Sequence, residues 1–237
     1  MNKTVSIQQV DLFNKLSEFW WDEKGDMEPL HQMNFLRMKY IKSLAIKKFG
    51  KLNKLKILDI GCGGGILCEP LSRLGNNVTG IDAASEVINV AKEHAIKSRL
   101  DIGYENSSVE EFSTKHENEF DIITAMEIVE HVENVDLFMK SSISCLKRGG
   151  IMILSTINKT PKAYMETIIA AEYILKMIPV GTHSFDKFVK PSQISNISVR
   201  NQCNVIDIQG SKYLPIEKTW EFSEKTDVNY FMCVEKT

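Results

Sequence analysis

The stretch that decides the fold is Lys56-Ile57-Leu58-Asp59-Ile60-Gly61-Cys62-Gly63-Gly64-Gly65-Ile66, in which a short apolar run passes directly into a glycine-rich turn. The run is typical of a buried strand. Glycine tolerates positive φ and has no side chain, so the turn can reverse tightly and bring its backbone against a small ligand. Asp59 lies just before the glycines, where a carboxylate would repel a diphosphate but suits an ammonium group or hydroxyls. The sequence therefore predicts a ligand site at the end of this strand.

Strand-like and helix-like segments alternate on both sides of this turn. The sequence predicts strands at 56–60, 77–81, 101–105, 120–125, 151–156, 204–209 and 228–234, and helices at 66–74, 85–97 and 135–146. This alternation favours an α/β fold with a doubly wound, mostly parallel sheet covered by helices on both faces. In such sheets, ligands bind beyond the carboxyl ends of the strands, and the glycine turn occupies that edge.

Two helical regions lie outside the alternation. The pattern of residues 1–50 predicts a helical lead-in that packs on a core, because apolar positions such as Phe35, Met38 and Ile41 recur at spacings of three. Residues 158–191 predict a helical insertion before the last two strands. Because 237 residues fall within the range of one α/β domain, we interpret residues 1–237 as a single domain.

Composition excludes several classes of function. A net charge of -2, without a dense basic patch, argues against nucleic acid as a partner. The five cysteines form no CxxC pair and no zinc-like spacing, which fits reduced thiols in the cytoplasm. No secretory signal and no apolar run of about 20 residues is present, so we expect a soluble chain that is at most peripheral to a membrane.

Two nucleotide-like ligands compete for the glycine turn. A nicotinamide dinucleotide site needs glycine at the first, third and sixth positions of its motif, and the sixth position here is Ile66. S-adenosylmethionine fits better, because its amino group and ribose tolerate nearby carboxylates such as Asp59. Asp82 closes the second predicted strand, where a carboxylate can accept the ribose hydroxyls of either ligand or can cap the next helix.

These residues resemble the class I S-adenosylmethionine-dependent methyltransferases in Leu58–Gly65, in Gly80–Asp82 and in the Lys147–Gly150 turn before a strand. The glycine motif alone indicates only that superfamily. Further segments, which run from the first helices almost to the last strand, resemble the ubiquinone biosynthesis O-methyltransferase family: Phe19–Asp22, Pro29–His31, Asn34–Arg37, Met126–Val132, Ala171–Leu175, Gly181–His183 and Asp227–Tyr230.

The resemblance implies two O-methylations of polyprenylated catechol-type intermediates, namely 2-polyprenyl-6-hydroxyphenol and 3-demethylubiquinol, with S-adenosyl-L-methionine as donor. It also implies association with other enzymes of the ubiquinone pathway. It places cofactor contacts at Arg37, Gly61, Asp82 and Met126, to which the glycine turn adds Asp59 and Gly63. A guanidinium suits the donor's carboxylate and a methionine could cover its adenine. Without the resemblance, a surface ion pair for Arg37 and core packing for Met126 are equally open.

Candidates for the acceptor chemistry follow the fourth predicted strand. If Glu127, Glu130 and His131 begin a helix, their spacing places all three side chains on one face. A phenol with a pKa of about 10 is mostly protonated at neutral pH, so His131 could act as catalytic base with Glu127 orienting its ring. Alternatively, the three side chains could hold Mg²⁺, as the eukaryotic relatives of the family suggest. A third reading leaves Glu130 in solvent and His131 in packing.

The insertion carries an apolar face, formed by Tyr164, Ile168, Ala171, Leu175 and Ile178 at spacings of four, three, four and three. Such a helix could line a tunnel, act as a lid, lie among lipid headgroups, or serve as a core helix. Because a polyprenyl substrate partitions into membranes, we expect peripheral contact through residues 163–180, with a cytoplasmic protein at the inner face of the membrane.

Two other functions remain open from the sequence. An O-methyltransferase for another small phenol would keep every cofactor residue. A non-catalytic scaffold that binds the cofactor would tolerate replacement of Glu127 and His131.

Overall fold

The computed structural model describes residues 4–25, 27–174, 181, 184–215 and 217–237. Its strands are β1 Lys56–Ile60, β2 Asn77–Asp82, β3 Gly103–Asn106, β4 Phe120–Met126, β5 Leu146–Ile157, β6 Cys203–Leu214, β7 Thr219–Ser223 and β8 Asn229–Lys236. They form one sheet in the order β3-β2-β1-β4-β5-β8-β6-β7. The pairs from β3 to β5 are parallel, and the pairs β5-β8, β8-β6 and β6-β7 are antiparallel.

The helices are α1 Ile7–Leu16, α2 Glu28–Phe49, α3 Cys68–Arg73, α4 Ser85–Lys97, α5 Val109–Ser113, α6 Val135–Cys145, α7 Pro161–Ala163 and α8 Pro191–Arg200. Short 3₁₀ turns lie at Ser17–Phe19, Val129–His131 and Phe185–Lys187, and a π-helix covers Tyr164–Ile174. Within the ranges given above, no helix is both long enough and apolar enough to cross a bilayer.

Alternating side chains of the central strands divide the core between the two faces of the sheet. Ile57 and Ile153 pack with residues of α2, α3 and α4 on one face. Leu58 and Leu154 pack with residues of α5, α6 and α8 on the other face. Because both faces are covered, strands β1, β4 and β5 are buried along most of their length. The doubly wound, mostly parallel sheet predicted from the sequence is confirmed.

Most predicted elements of the alternating part are present, with shifted ends. The third strand begins at Gly103 rather than at residue 101. The fifth begins at Leu146, which pairs with Phe120 across a register shift in β4. The sequence analysis missed α5, α8 and β7. In β7 the partly buried positions alternate with exposed, polar ones, so this edge strand lacks the apolar run that marks the central strands.

The helical lead-in is broken into α1, a 3₁₀ turn and α2. The prediction that Phe35 faces the core with Met38 and Ile41 is wrong, because Phe35 is 79% exposed while Ile41 is fully buried. A spacing of three residues drifts by about 60° around an α-helix at each step, so the third position no longer shares a face with the first.

The insertion begins with α7 and continues as a π-helix, whose i→i+5 hydrogen bonds widen the turn. The α-helical spacing predicted for Tyr164, Ile168 and Ala171 therefore does not describe it. Ile168 is buried, whereas Tyr164 is 39% exposed. Leu175 and Ile178 of the predicted face lie outside the described residues, as do most of the segment from 175 to 183.

Candidate active site

The glycine turn leaves β1 through backbone conformations that favour glycine. Gly61, Gly63 and Gly65 have φ values of +70°, +54° and +89°. The backbone N–H groups of Gly61 and Cys62 both donate to the carbonyl oxygen of Ile81, at 2.9 and 3.0 Å. The turn is therefore held against the end of β2.

Asp82, the last residue of β2, ties the turn to the start of α4. Its Oδ2 accepts a hydrogen bond from the N–H of Gly63 at 3.0 Å, and its Oδ1 accepts one from the N–H of Ala84 at 2.9 Å. Burial raises the pKa of this carboxyl group, and the backbone donors oppose that shift. The role of Asp82 in ribose binding stays a prediction.

Two tryptophans of the N-terminal region lie directly on the turn. A Cβ atom at Gly63 or at Gly64 would come within 2.1 Å of the Trp20 ring. Trp21 donates a hydrogen bond from Nε1 to the carbonyl oxygen of Gly64 at 3.0 Å, and its ring stacks on His94 at 3.5 Å between centroids. Because Gly63 and Gly64 have no side chains, the turn has room for the Trp20 indole, and a ligand can also come close to its backbone.

A cavity of about 620 Å³ opens at this edge of the sheet. Its walls come from the ends of β1, β2 and β4, from α1 and α2, from the π-helix and from β6 and β7. Eight of the nine residues proposed from the sequence line it: Arg37, Asp59, Gly61, Gly63, Asp82, Met126, Glu127 and His131. The ninth, Glu130, does not. The structure therefore brings the predicted cofactor residues and the proposed catalytic pair to one site.

Arg37 is a buried cation at the wall of this cavity, with 5% of its surface exposed. Its Nε and Nη2 have no hydrogen-bond partner in the structure. Burial lowers the pKa of the guanidinium, and the negative charges of Glu127, Asp59 and Glu130 oppose that shift. Since unpaired buried donors are costly, the guanidinium is suited to a carboxylate ligand in the cavity.

Asp59 is buried at the end of β1 and is already hydrogen-bonded within the protein. Its Oδ1 accepts from the hydroxyl of Thr124 at 2.6 Å, and its Oδ2 accepts from the thiol of Cys68 at 3.3 Å. Burial raises its pKa to about 6, against the lowering effect of these hydrogen bonds and of Arg37. This carboxyl group therefore helps to hold the strand ends together, and its contact with a ligand stays a prediction.

Glu127 follows β4 in a left-handed conformation, with φ +53°. Its backbone N–H donates to the carbonyl oxygen of Ser155 at 3.0 Å, and its Oε1 accepts a hydrogen bond from the hydroxyl of Ser155. The expectation that a helix begins here is wrong. Only the 3₁₀ turn Val129–His131 forms before an extended residue, so the assumed helical face does not exist.

His131 closes that 3₁₀ turn and lines the cavity beside Phe13, whose ring meets the imidazole edge-on at 5.7 Å. Burial lowers the pKa of the imidazole to about 4; Glu127 opposes this shift and Lys187 adds to it. The ring is therefore neutral at physiological pH, and it is a weaker base than a solvent-exposed imidazole.

Glu130 turns away from the cavity into the sheet, and 4% of its surface is exposed. Its Oε2 accepts a hydrogen bond from the hydroxyl of Thr156 at 2.7 Å, and burial raises its pKa to about 7. In the part of the chain that the structure describes, no three His, Cys, Asp or Glu side chains form a group able to hold a metal ion. The three residues considered for Mg²⁺ are therefore not brought together, and they do not fit the ion.

Sequence reasoning missed the apolar wall of the cavity. Helix α1 contributes Val10, Phe13 and Leu16, and β7 contributes Trp220. The π-helix contributes Glu166, Thr167, Ala170 and Ala171. The alternation of apolar and polar positions in α1 predicts a buried face, but nothing in it indicates that the face borders a cavity.

Comparison with known proteins identifies the class of domain. The model of a protein family described as "Methyltransferase domain" matches residues 30–206 of the chain. The chain is 44% identical to the ubiquinone biosynthesis O-methyltransferase of Pelagibacter ubique, with 96% of each chain covered. It is 43% identical to the protein of the same name from Bartonella quintana, with 98% of this chain and 97% of the other covered.

Solved structures of low sequence identity share the fold. A magnesium protoporphyrin IX methyltransferase from Synechocystis, with bound S-adenosylhomocysteine, aligns with a TM-score of 0.68 at 16% identity over 96% of this chain and 95% of the other. A methyltransferase from Clostridium acetobutylicum aligns with a TM-score of 0.63 at 14% identity, covering 95% and 98%. The matched domain and the identity along nearly the whole chain show that this chain belongs to the ubiquinone biosynthesis O-methyltransferase family.

Proposed function

We propose that the chain transfers a methyl group from S-adenosylmethionine to a phenolic hydroxyl of polyprenylated catechol-type intermediates of ubiquinone biosynthesis. The observation that carries this proposal is the buried guanidinium of Arg37, whose Nε and Nη2 have no hydrogen-bond partner, at a cavity that also presents the glycine turn and the carboxylates of Asp59 and Asp82. A cation beside carboxylates matches a ligand that carries a carboxylate, an ammonium group and ribose hydroxyls. The relatives' shared name supports the choice of substrate.

The residues at the end of β1 and β2 would hold the donor. Arg37 would pair with its carboxylate, and Asp59 would accept from its ammonium group. Asp82 would accept from the ribose hydroxyls while keeping its bonds to Gly63 and Ala84. Met126, which is 8% exposed and belongs to the core as well as to the cavity wall, would cover the adenine. When bound, the donor supplies an electrophilic methyl group on a sulfonium.

The residues after β4 would act on the acceptor. The neutral imidazole of His131 would take the proton of the phenol, and the charge of Glu127 would stabilise the imidazolium that forms. Apolar side chains of α1 line this end of the cavity, and in a site of low polarity that electrostatic interaction would be stronger than in water. Holding the phenolic oxygen in line with the methyl group would accelerate the transfer further, because the reacting atoms are already oriented.

Turnover of matched acceptors tests the proposed substrate class. We expect the purified protein to transfer label from S-adenosylmethionine to a catechol that carries a prenyl tail, and to act more slowly on the same catechol without the tail. The apolar wall of the cavity is the physical reason, because each buried CH₂ contributes about 0.8 kcal/mol. Equal kcat/KM for the two catechols would instead indicate a methyltransferase for another small phenol.

Replacement of Arg37 tests the donor site. We expect Arg37→Met to weaken S-adenosylmethionine binding by about 10-fold to 100-fold, since a hydrogen bond to a charged group contributes about 1.5–3 kcal/mol. Isothermal calorimetry measures the effect, with Arg148→Met as the control at an exposed arginine. An unchanged dissociation constant for Arg37→Met would remove the proposed pairing.

Replacement of His131 tests the proposed base. We expect His131→Ala to lower kcat by about 10²-fold to 10⁴-fold with little change in donor binding, and added imidazole to restore part of the activity. In the unmodified protein, protonation of His131 should not reduce kcat above about pH 5, because its pKa lies near 4 and the base acts in the neutral form. His116→Ala, at a histidine paired with Glu119, is the control. Full activity of His131→Ala would contradict the assignment.

We also propose that residues 163–180 contact the membrane in which a polyprenylated substrate resides, and that other enzymes of the pathway associate there. Among the described residues of that segment, Met165 is 55% exposed and Tyr164 is 39% exposed. Apolar and aromatic side chains at a surface suit the headgroup region of a bilayer.

Flotation with vesicles that contain anionic lipid tests this contact. We expect Met165→Asp to reduce the bound fraction markedly, because burying one methionine side chain is worth about 1.5–3 kcal/mol. Ile96→Asp is the matched control, since Ile96 is a 75% exposed apolar residue on α4. Absence of flotation for the unmodified protein, or equal losses for both variants, would count against the segment.

A further inference from the structure

Two neighbouring hydroxyl residues near the end of β5 each bind one of the carboxylates that follow β4. The hydroxyl of Ser155 donates to Glu127, and the hydroxyl of Thr156 donates to Glu130. Successive side chains of a strand point to opposite faces, so the two carboxylates are drawn to opposite sides of the sheet. Glu127 consequently lines the cavity, and Glu130 does not.

Ser155 holds both the backbone and the side chain of Glu127. Its backbone pairs in register with Met126, the last residue of β4. The N–H of Glu127 donates to the carbonyl oxygen of Ser155 at 3.0 Å and approaches its Oγ at 3.3 Å. The side chain of Glu127 returns to the same hydroxyl, and Ser155 is only 2% exposed.

The backbone of Glu127 needs such support. Its φ of +53° lies in the left-handed region, which non-glycine residues adopt at a cost. Glu127 lies between the end of β4 and the 3₁₀ turn, which begins two residues later. The buried hydroxyl of Ser155, on a central strand, binds both its backbone N–H and its carboxylate.

We propose that Ser155 is a positioning residue, whose hydroxyl holds the Glu127 carboxylate at the acceptor end of the cavity. The inference rests on the proposed methyl transfer, in which Glu127 acts on His131. Ser155 itself does not line the cavity. Its removal therefore acts on the rate through the position of Glu127.

A double-mutant cycle tests this role with the prenylated catechol as acceptor. We expect Ser155→Ala to lower kcat by about 10-fold to 100-fold, the range for loss of one hydrogen bond to a charged group, and to change the dissociation constant for S-adenosylmethionine by a smaller factor, because Ser155 does not line the cavity. We expect the double variant Ser155→Ala with Glu127→Ala to have the kcat of Glu127→Ala alone, because Glu127→Ala removes the carboxylate that the hydroxyl holds.

Two further variants separate positioning from general stability. Ser142→Ala removes another buried hydroxyl, which donates to the carbonyl oxygen of Phe138 within α6, and is expected to keep the unmodified kcat. Ser155→Thr retains the hydroxyl and is expected to recover most of the kcat lost in Ser155→Ala, which keeps the test valid if the alanine variant folds poorly.

The outcomes distinguish a failure of the positioning role of Ser155 from a failure of the proposed methyl transfer. Full kcat in Ser155→Ala, independent losses in the double variant, or equal losses for Ser155→Ala and Ser155→Thr would each overturn the positioning role while leaving methyl transfer in place. Absence of methyl transfer by the unmodified protein would overturn the proposed function and this inference with it.

Discussion

The Asp82 carboxylate is the junction on which the geometry of the cavity depends. Its Oδ2 accepts a hydrogen bond from the N–H of Gly63 in the glycine turn, and its Oδ1 accepts one from the N–H of Ala84, just before α4. Two neighbouring loops are therefore held by the same carboxylate. Glycine-rich backbone loses much conformational entropy on folding, and such a turn needs fixed partners to adopt one shape. The ring of Trp20 packs directly on Gly63 and Gly64 of the same turn. The floor of the cavity is thereby defined before any ligand binds.

The site also gathers charged groups in a buried environment. Arg37 lies among Asp59, Glu127 and Glu130, yet its Nε and Nη2 have no partner, and burial raises the pKa values of Asp59 and Glu130 to about 6 and about 7. Buried charges without full pairing destabilise a fold. A zwitterionic ligand would bring a carboxylate to Arg37 and an ammonium group to the carboxylates that line the cavity, among which Glu130 is not found. Charges held in place in advance are a common basis of tight binding and catalysis.

Sequence patterns predicted the parts of the molecule that follow local periodicity. The buried strands, helix α4 and the glycine turn were predicted correctly, and the cofactor residues that the family resemblance implied line one cavity. The failures lie where tertiary contacts override local spacing. Glu127 adopts a positive φ, which breaks the expected helix and separates Glu130 from His131. Strand β7 depends on pairing with β6, and the packing of Trp20 on Gly63 joins residues far apart in the chain. Neither leaves a periodic signal.

The placement of the tryptophans has a spectroscopic consequence. The chain contains three, and all of them lie at the cavity or on its glycine turn: Trp20 and Trp220 form part of the wall, and Trp21 is hydrogen-bonded to Gly64 and stacked on His94. Indole emission responds to the polarity and contacts of its surroundings. The intrinsic tryptophan fluorescence of the protein is therefore expected to change when the contacts at this one site change, and no attached dye is needed to measure it.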